Sequence, residues 1–226
     1  MIDLHSHILP NLDHGTSSVE TSLEQLRLAA KFGVSRVVAT SHFYPQRENV
    51  DRFLARRRKS LEKLIPNLTS DLPEIRIGAE VLICDNIEEM PLLNKLCIGG
   101  SNVLLLELPF TDFSNGYVES VRELVAMGYD IVLAHADRYN PRDIERLIAV
   151  GAKIQLNADS LCHLLVKKHI RDWITRDLVV AIGSDIHGSD ARAYKRFASA
   201  YKKLKSKREY ISECSYKMWQ KFKKEY

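Results

Sequence analysis

Short apolar runs recur along the chain, and almost every one closes on a histidine or a carboxylate. Runs bounded this way at residues 2–5, 36–40, 75–79, 103–108, 131–134, 153–156 and 178–182 read as strands. Between them lie stretches of helical period: Val19, Leu23, Leu26 and Ala30, then Phe53, Leu54, Leu61 and Leu64, then residues 118–127 and 144–150. Gly33, Gly128 and Gly151 stand where a helix gives way to the next strand. Strands that are apolar on both faces and separated by helices form parallel sheets, because a parallel pair needs a crossover between its members.

The strand ends carry the second half of the pattern. In order they present His5 and His7, His42, Glu80, Glu107, His135, Asn157, and the pair Asp185 and His187. In a closed barrel of βα units the carboxyl ends of the strands converge on one mouth, whereas an open sheet spreads them. The expected fold is therefore α/β with seven parallel strands, whose C-terminal ends would share one site if the sheet closes into a barrel. Segment 82–100, with acidic residues, Pro91 and paired glycines, is expected to be an excursion with some helix rather than a domain boundary.

Composition excludes several classes. A chain of 226 residues that is 45% hydrophobic and 27% charged fits one soluble domain over 1–226. No apolar stretch approaches the roughly 20 residues that span a bilayer, and no signal-type start is present, so a cytoplasmic protein without membrane insertion is expected. Cys84, Cys97, Cys162 and Cys214 form no C-x-x-C pair, and none is followed six positions later by arginine, which excludes a cysteine-based phosphatase. Phosphate-loop and dinucleotide signatures are absent. Between Arg192 and Tyr226 basic residues outnumber acidic ones 12 to 3, against 21 to 26 over the rest. Since Ile211, Cys214, Met218, Trp219 and Phe222 recur at helical spacing there, residues 208–226 are expected to form a basic amphipathic helix docked by its apolar stripe. The run Arg56-Arg57-Arg58-Lys59 reads as the solvated face of a helix.

Imidazoles and carboxylates without thiolates suit Mn, Fe or Zn. His5, His7, His42, His135, His187, Glu80, Glu107 and Asp185, with Asp13 and His14 in the loop after the first strand, are enough for a multinuclear cluster. Such clusters make hydroxide near neutral pH and hold both the attacking and the leaving oxygen of a phosphoryl transfer, so phosphate-ester hydrolysis is the favoured reaction.

These residues resemble a known family. The segments Met1 to Pro10, Asp13-His14-Gly15, Val38 to His42, Gly78-Ala79-Glu80, Leu106 to Phe110, Ala134 to Tyr139 and Gly183 to His187 look like successive motifs of the PHP (polymerase and histidinol phosphatase) superfamily. Within it they resemble the bacterial tyrosine phosphatases associated with capsule and exopolysaccharide synthesis. The resemblance implies the PHP fold, a distorted TIM-like (β/α)7 barrel with its metal site at the C-terminal ends of the strands, and three divalent metal ions, commonly manganese, with Fe or Zn as alternatives. It implies a hydroxide bridging the ions as nucleophile, and a phosphotyrosine protein as substrate, a bacterial tyrosine kinase controlling polysaccharide export. Arg138 and Arg192 match family positions that bind the substrate phosphate. His14 stands where relatives commonly have an aspartate, which makes His14 the expected ligand and Asp13 its substitute. His187 or Asp137 could protonate the leaving group. The competing readings are a small-molecule phosphatase of the histidinol-phosphate type, a nuclease, and a non-catalytic binding module; a nucleic-acid partner is not expected.

Overall fold

The computed structural model describes residues 1–111, 113–163, 165–224 and 226, and their strands pair only in parallel. The first half runs β1 (Ile2–Ser6), α1 (Val19–Lys31), β2 (Arg36–Ala39), β3 (His42–Phe43), α2 (Val50–Leu64), β4 (Glu74–Ile77) and β5 (Glu80–Leu82). Short 3-10 turns at Ile87–Glu89, Leu93–Leu96 and Ile98–Gly100 make up the expected excursion. The second half runs β6 (Val103–Glu107), α3 (Asn115–Ala126), β7 (Asp130–Leu133), α4 (Pro141–Ala149), β8 (Lys153–Asn157), α5 (Ala158–Cys162), α6 (Lys168–Thr175), β9 (Val179–Gly183), α7 (Ala193–Lys203) and α8 (Arg208–Lys221). The helix expected over 208–226 ends at Lys221, and residue 225 lies outside the described residues.

One sheet has the order β1-β2-β4, the other β3-β5-β6-β7-β8-β9. The runs expected at 36–40 and 75–79 thus stop at breaks, Thr40–Ser41 and Gly78–Ala79, and each is followed by a short strand that was not expected, β3 and β5. Hydroxyl groups cause the first break: the Thr40 Oγ1 accepts from the Ser6 N–H at 3.1 Å, and the Ser6 hydroxyl donates to the Val38 carbonyl at 2.8 Å. Side-chain bonds of this kind replace ladder bonds. Register survives the break, since Ala39 faces Ile77 and His42 faces Glu80 with the same offset. At the outer edges the two sheets also meet. The Asp185 N–H donates to the His5 carbonyl (2.9 Å), the His7 N–H to the Ile186 carbonyl (3.2 Å), and the Ser184 N–H to the Asp3 carboxylate (2.9 Å).

The strands bury both faces. One face packs with the helices around Phe43, Phe53, Trp173, Tyr194 and Phe197. The other gathers Ile2, Leu4, Val38, Val103, Leu105, Val132 and Val180, and α8 closes this group with Met218, Trp219 and Phe222. Helix α8 covers the start of the strands: the Ser215 hydroxyl donates to the Val180 carbonyl, and Lys221 pairs with Asp130 at the head of β7. The opposite ends of the strands stay free for polar groups.

Candidate metal centre

Each site residue owes its place to the end of a strand. β1 carries His5 and His7 to the same side, and their Nε2 atoms lie 3.2 Å apart. His42 opens β3 directly across from Glu80, which opens β5, and Glu107 closes β6. His135 follows β7 and Asp185 follows β9, and both adopt left-handed backbone, with φ of 32° and 50°. Non-glycine residues in that region cost of the order of 1 kcal/mol or more, a strain characteristic of functional sites.

Glu80 is the hub. Its fully buried carboxylate lies 3.2 Å from His5 Nε2, 3.3 Å from His7 Nε2, 2.9 Å from His42 Nδ1 and 2.7 Å from His135 Nε2. Glu107 reaches His42 at 3.1 Å, and Asp185 lies 3.4 Å from His7 and 3.6 Å from His5. Three overlapping groups have ligand atoms close enough to share an ion: His7, His42 and His187; His5, His7 and Glu80; His42, Glu80 and Glu107. His14 is exposed and joins none of these, but its ring stacks on His42 and His187 at centroid distances of 4.8 and 4.4 Å.

Further residues hold these rings, and one of them, Gln155, was not singled out in the sequence. Gln155, in the middle of β8, turns its Oε1 to His5 Nδ1 (3.1 Å) and accepts from the His135 N–H (2.7 Å). Asp13 accepts from His7 Nδ1 (2.9 Å), the His42 N–H (2.9 Å) and the Gly15 N–H (2.8 Å). It therefore orients His7 and the backbone of His42, and His5 and His7 keep Nε2 pointing inward, the arrangement that suits a ligating tautomer. Asn157 donates to Asp185 at 2.9 Å. Gly183 has no substitute, because a Cβ there would stand 2.6 Å from the His5 Cβ and 2.5 Å from Gln155 Nε2.

Charge is strongly coupled across the cluster. Burial opposes a proton on His42, but Glu107 and Glu80 lift its imidazole to about 9. His7 rises well above its ordinary value against the same penalty, through Asp13, Asp185 and Glu80. Burial alone would raise Glu80, yet His5, His135 and His42 hold it well below the usual carboxylate range. His187 goes the other way, depressed to about 4 by burial and by His7.

Protons alone serve this set poorly. The Glu80 Oε2, His135 Nδ1 and His187 Nε2 atoms are buried without a hydrogen-bond partner, and two imidazole Nε2 atoms face each other. Burying so many unsatisfied polar atoms is expensive. A cation coordinated by nitrogen and carboxylate oxygen would satisfy them, so the donor set fits a divalent metal of the Mn, Fe or Zn type.

Arg138 ends the 3-10 turn Ala136–Arg138, and its guanidinium bonds the Asp185 carboxylate at 2.5 Å. It lines a cavity of about 390 Å³ that also contains Asp137, Asp185 and His187. Arg192 lies exposed at the start of α7, where its N–H donates to Asp190 (2.9 Å), and it does not line that cavity. Arg196 does, but it is already paired with Asp159 and Asp190. Burial raises the Asp137 carboxyl, which accepts from the Asn157 N–H at 2.8 Å.

A parallel α/β scaffold whose strand ends gather imidazoles and carboxylates around a shared carboxylate defines the class of metal-centre α/β proteins. Within it, the chain belongs to the capsular polysaccharide synthesis family CpsB/CapC, whose model matches residues 1–221. It is 27% identical to the tyrosine-protein phosphatase CpsB of Streptococcus pneumoniae, over 93% of this chain and 95% of that one. It is likewise 27% identical to the tyrosine-protein phosphatase YwqE of Bacillus subtilis, over 89% of this chain and 83% of that one. Its fold matches a solved structure from work on YwqE and CpsB, described as metal-dependent tyrosine phosphatases. The TM-score is 0.80 at 21% identity, over 98% of this chain and 95% of that one.

Proposed function

We propose that this chain is a metal-dependent protein-tyrosine phosphatase acting on a phosphotyrosine protein of capsule or exopolysaccharide synthesis, a bacterial tyrosine kinase. The observation that carries the reading is the Glu80-centred cluster beside Arg138, in a chain of the CpsB/CapC family whose relatives bear that activity in their names. Nine residues hold three divalent ions in this reading: His5, His7, His14, His42, Glu80, Glu107, His135, Asp185 and His187. Manganese is the preferred ion. The bonds joining β1 to the end of β9, and the register kept across both strand breaks, support one distorted seven-step barrel and a single domain over 1–226. No helix among the described residues is long and apolar enough to cross a membrane, and we assign the protein to the cytoplasm.

Bound divalent cations supply Lewis acidity and acidify water to near neutral pH. The chain's own residues supply the rest. Arg138, whose planar fork matches two phosphate oxygens, trades its Asp185 contact for the substrate phosphate, and Arg192 moves in from the start of α7 as a second contact. In the neutral imidazoles Asp13 and Gln155 hold the proton of His7 and His5 on Nδ1, which leaves Nε2 as the donor atom facing inward. Asp137, with its raised carboxyl in the cavity wall, offers a proton to the departing phenolate; that demand is modest because a phenol has a pKa of about 10.

The test compares kcat/KM on phosphotyrosine peptides and on histidinol phosphate with metal present, after chelation, and after alkylation by iodoacetamide. The proposal expects peptide preference, loss on chelation, and indifference to alkylation. Preference for histidinol phosphate, or processive cleavage of single-stranded DNA, overturns it.

A further inference from the structure

A second cavity, of about 510 Å³, adjoins the centre on the side of His14 and His42, and its outer wall carries Tyr44, Arg47, Arg52 and Arg56. The sequence reading of 56–59 as a wet face holds only in part. Arg57 is buried, and Arg56 turns to the cavity wall, where it bonds Glu48 and the Leu12 carbonyl. Those contacts neutralise Arg56. Arg47 and Arg52 are different. The Arg47 guanidinium lies 4.6 Å above the Tyr44 ring, and the Arg52 side chain has no hydrogen bond or ion pair among the described residues. In the first cavity both arginines, Arg138 and Arg196, are matched by aspartates, which leaves Lys167 as the cation of its wall without a carboxylate partner among the described residues. Two uncompensated cations facing a hollow that shares its imidazole wall with the centre create a local field for anions.

We propose that this cavity is a second, anion-recognising subsite, which takes an acidic side chain flanking the phosphotyrosine of a peptide substrate. The inference rests on the phosphatase reading of the adjoining centre. Arg47 and Arg52 supply the charge and Tyr44 a flat wall. Neighbours in an extended peptide advance about 3.3–3.6 Å per residue, so side chains one to three positions from the phosphotyrosine fall beside the reacting phosphate. The cavity selects acidic sequence context, and the centre performs the hydrolysis.

The experiment uses two phosphotyrosine peptides that differ only in having Glu or Gln on both flanks, with p-nitrophenyl phosphate as a substrate that has no flanks. Full-length metal-loaded wild type, Arg47→Ala/Arg52→Ala and the control Arg58→Ala are compared; Arg58 is exposed on the same helix and paired with Glu62. Wild type is expected to favour the Glu peptide about tenfold in kcat/KM, through KM, with the preference shrinking as salt rises from about 0.05 to 0.5 M. The double variant should lose the preference and Arg58→Ala keep it. Equal rates on both peptides in wild type, or a preference that survives in the double variant, overturns the subsite. If every phosphoester resists hydrolysis, the phosphatase reading itself has failed. Fluorescence anisotropy with the same peptides still decides the subsite: tighter binding of the Glu peptide to wild type alone sustains it, and equal binding removes it.

Discussion

Replacing Gln155 by Leu separates hydrogen bonding from packing at the centre. The two side chains are similar in volume, so little cavity opens, but two buried groups lose their acceptor: the His135 N–H at 2.7 Å and His5 Nδ1 at 3.1 Å. Leaving a buried polar group unpaired costs about 1–3 kcal/mol, which puts the pair at about 2–6 kcal/mol. The Asn157 Oδ1, which accepts from Gln155 Nε2 at 3.0 Å, also loses a donor, while the added apolar carbon returns part of the loss. A net destabilisation of about 2–4 kcal/mol is expected in urea denaturation of the chelator-treated protein. The same change frees the His5 ring to rotate and to hold its proton on either nitrogen. Loss of an orienting partner behind a metal ligand costs about 10–100-fold in affinity, read by calorimetric titration of Mn²⁺. Gln155→Glu keeps both acceptors and should retain most of the binding. If Gln155→Leu matches wild type within about 0.5 kcal/mol in stability and twofold in affinity, Gln155 does not position His5, and the reasoning fails.

Other expectations follow from the same geometry. Gly183→Ala drives a methyl against His5 and Gln155 and should cut kcat about 100-fold while circular dichroism stays native; an active variant would show that the strand end has room to yield. In the chelated protein His42 titrates near 9 against an ordinary 6.5, so its stabilisation is complete below that lower value and disappears as pH climbs through the upper one. About 3 kcal/mol should vanish across that window in urea midpoints, less so in Glu107→Gln; a flat profile contradicts the His42–Glu107 pairing. Tyr139→Phe removes the hydroxyl that bonds both the Leu108 N–H and its carbonyl, next to Glu107, and should cost about 1–2 kcal/mol with a larger loss in Mn²⁺ affinity than in melting temperature. Elemental analysis of protein purified without chelator should give close to three ions per chain, and a value near one excludes the trinuclear reading.

The alternation of strands with helices was legible because apolar runs and helical periods are local properties of the chain. So were the strand-end histidines and carboxylates that gather around Glu80, since such a residue closing an apolar run has no packing reason to be there. The breaks at Thr40–Ser41 and Gly78–Ala79 were not legible, because the hydroxyl bonds behind the first join residues from different strands. Gln155 was hidden for the same reason: one polar residue within an apolar strand carries no sign of what it faces. Helix α7 escaped notice because its buried stripe of Ala193, Tyr194, Phe197, Ala200 and Tyr201 is built from alanines and aromatics among lysines, which lowers its apparent apolarity. Asp13 and His14 are neighbours in the chain, and only the fold separates the residue that supports His7 from the one that stacks over the open side of the centre.

The bonds between β1 and the end of β9 set a timetable as well as a shape. His5 and His7 precede their partners Asp185 and His187 by about 180 positions, so synthesis delivers the two halves of the contact far apart in time. Until that stretch leaves the ribosome, Asp3 has no Ser184 to bind, and His5 and His7 lack the Asp185 carboxylate. Closing so long a loop belongs among the slow, late events of folding. Completion of the cluster is therefore a late step, and a chain cut short before Asp185 lacks one of its carboxylates however much helix and sheet has formed.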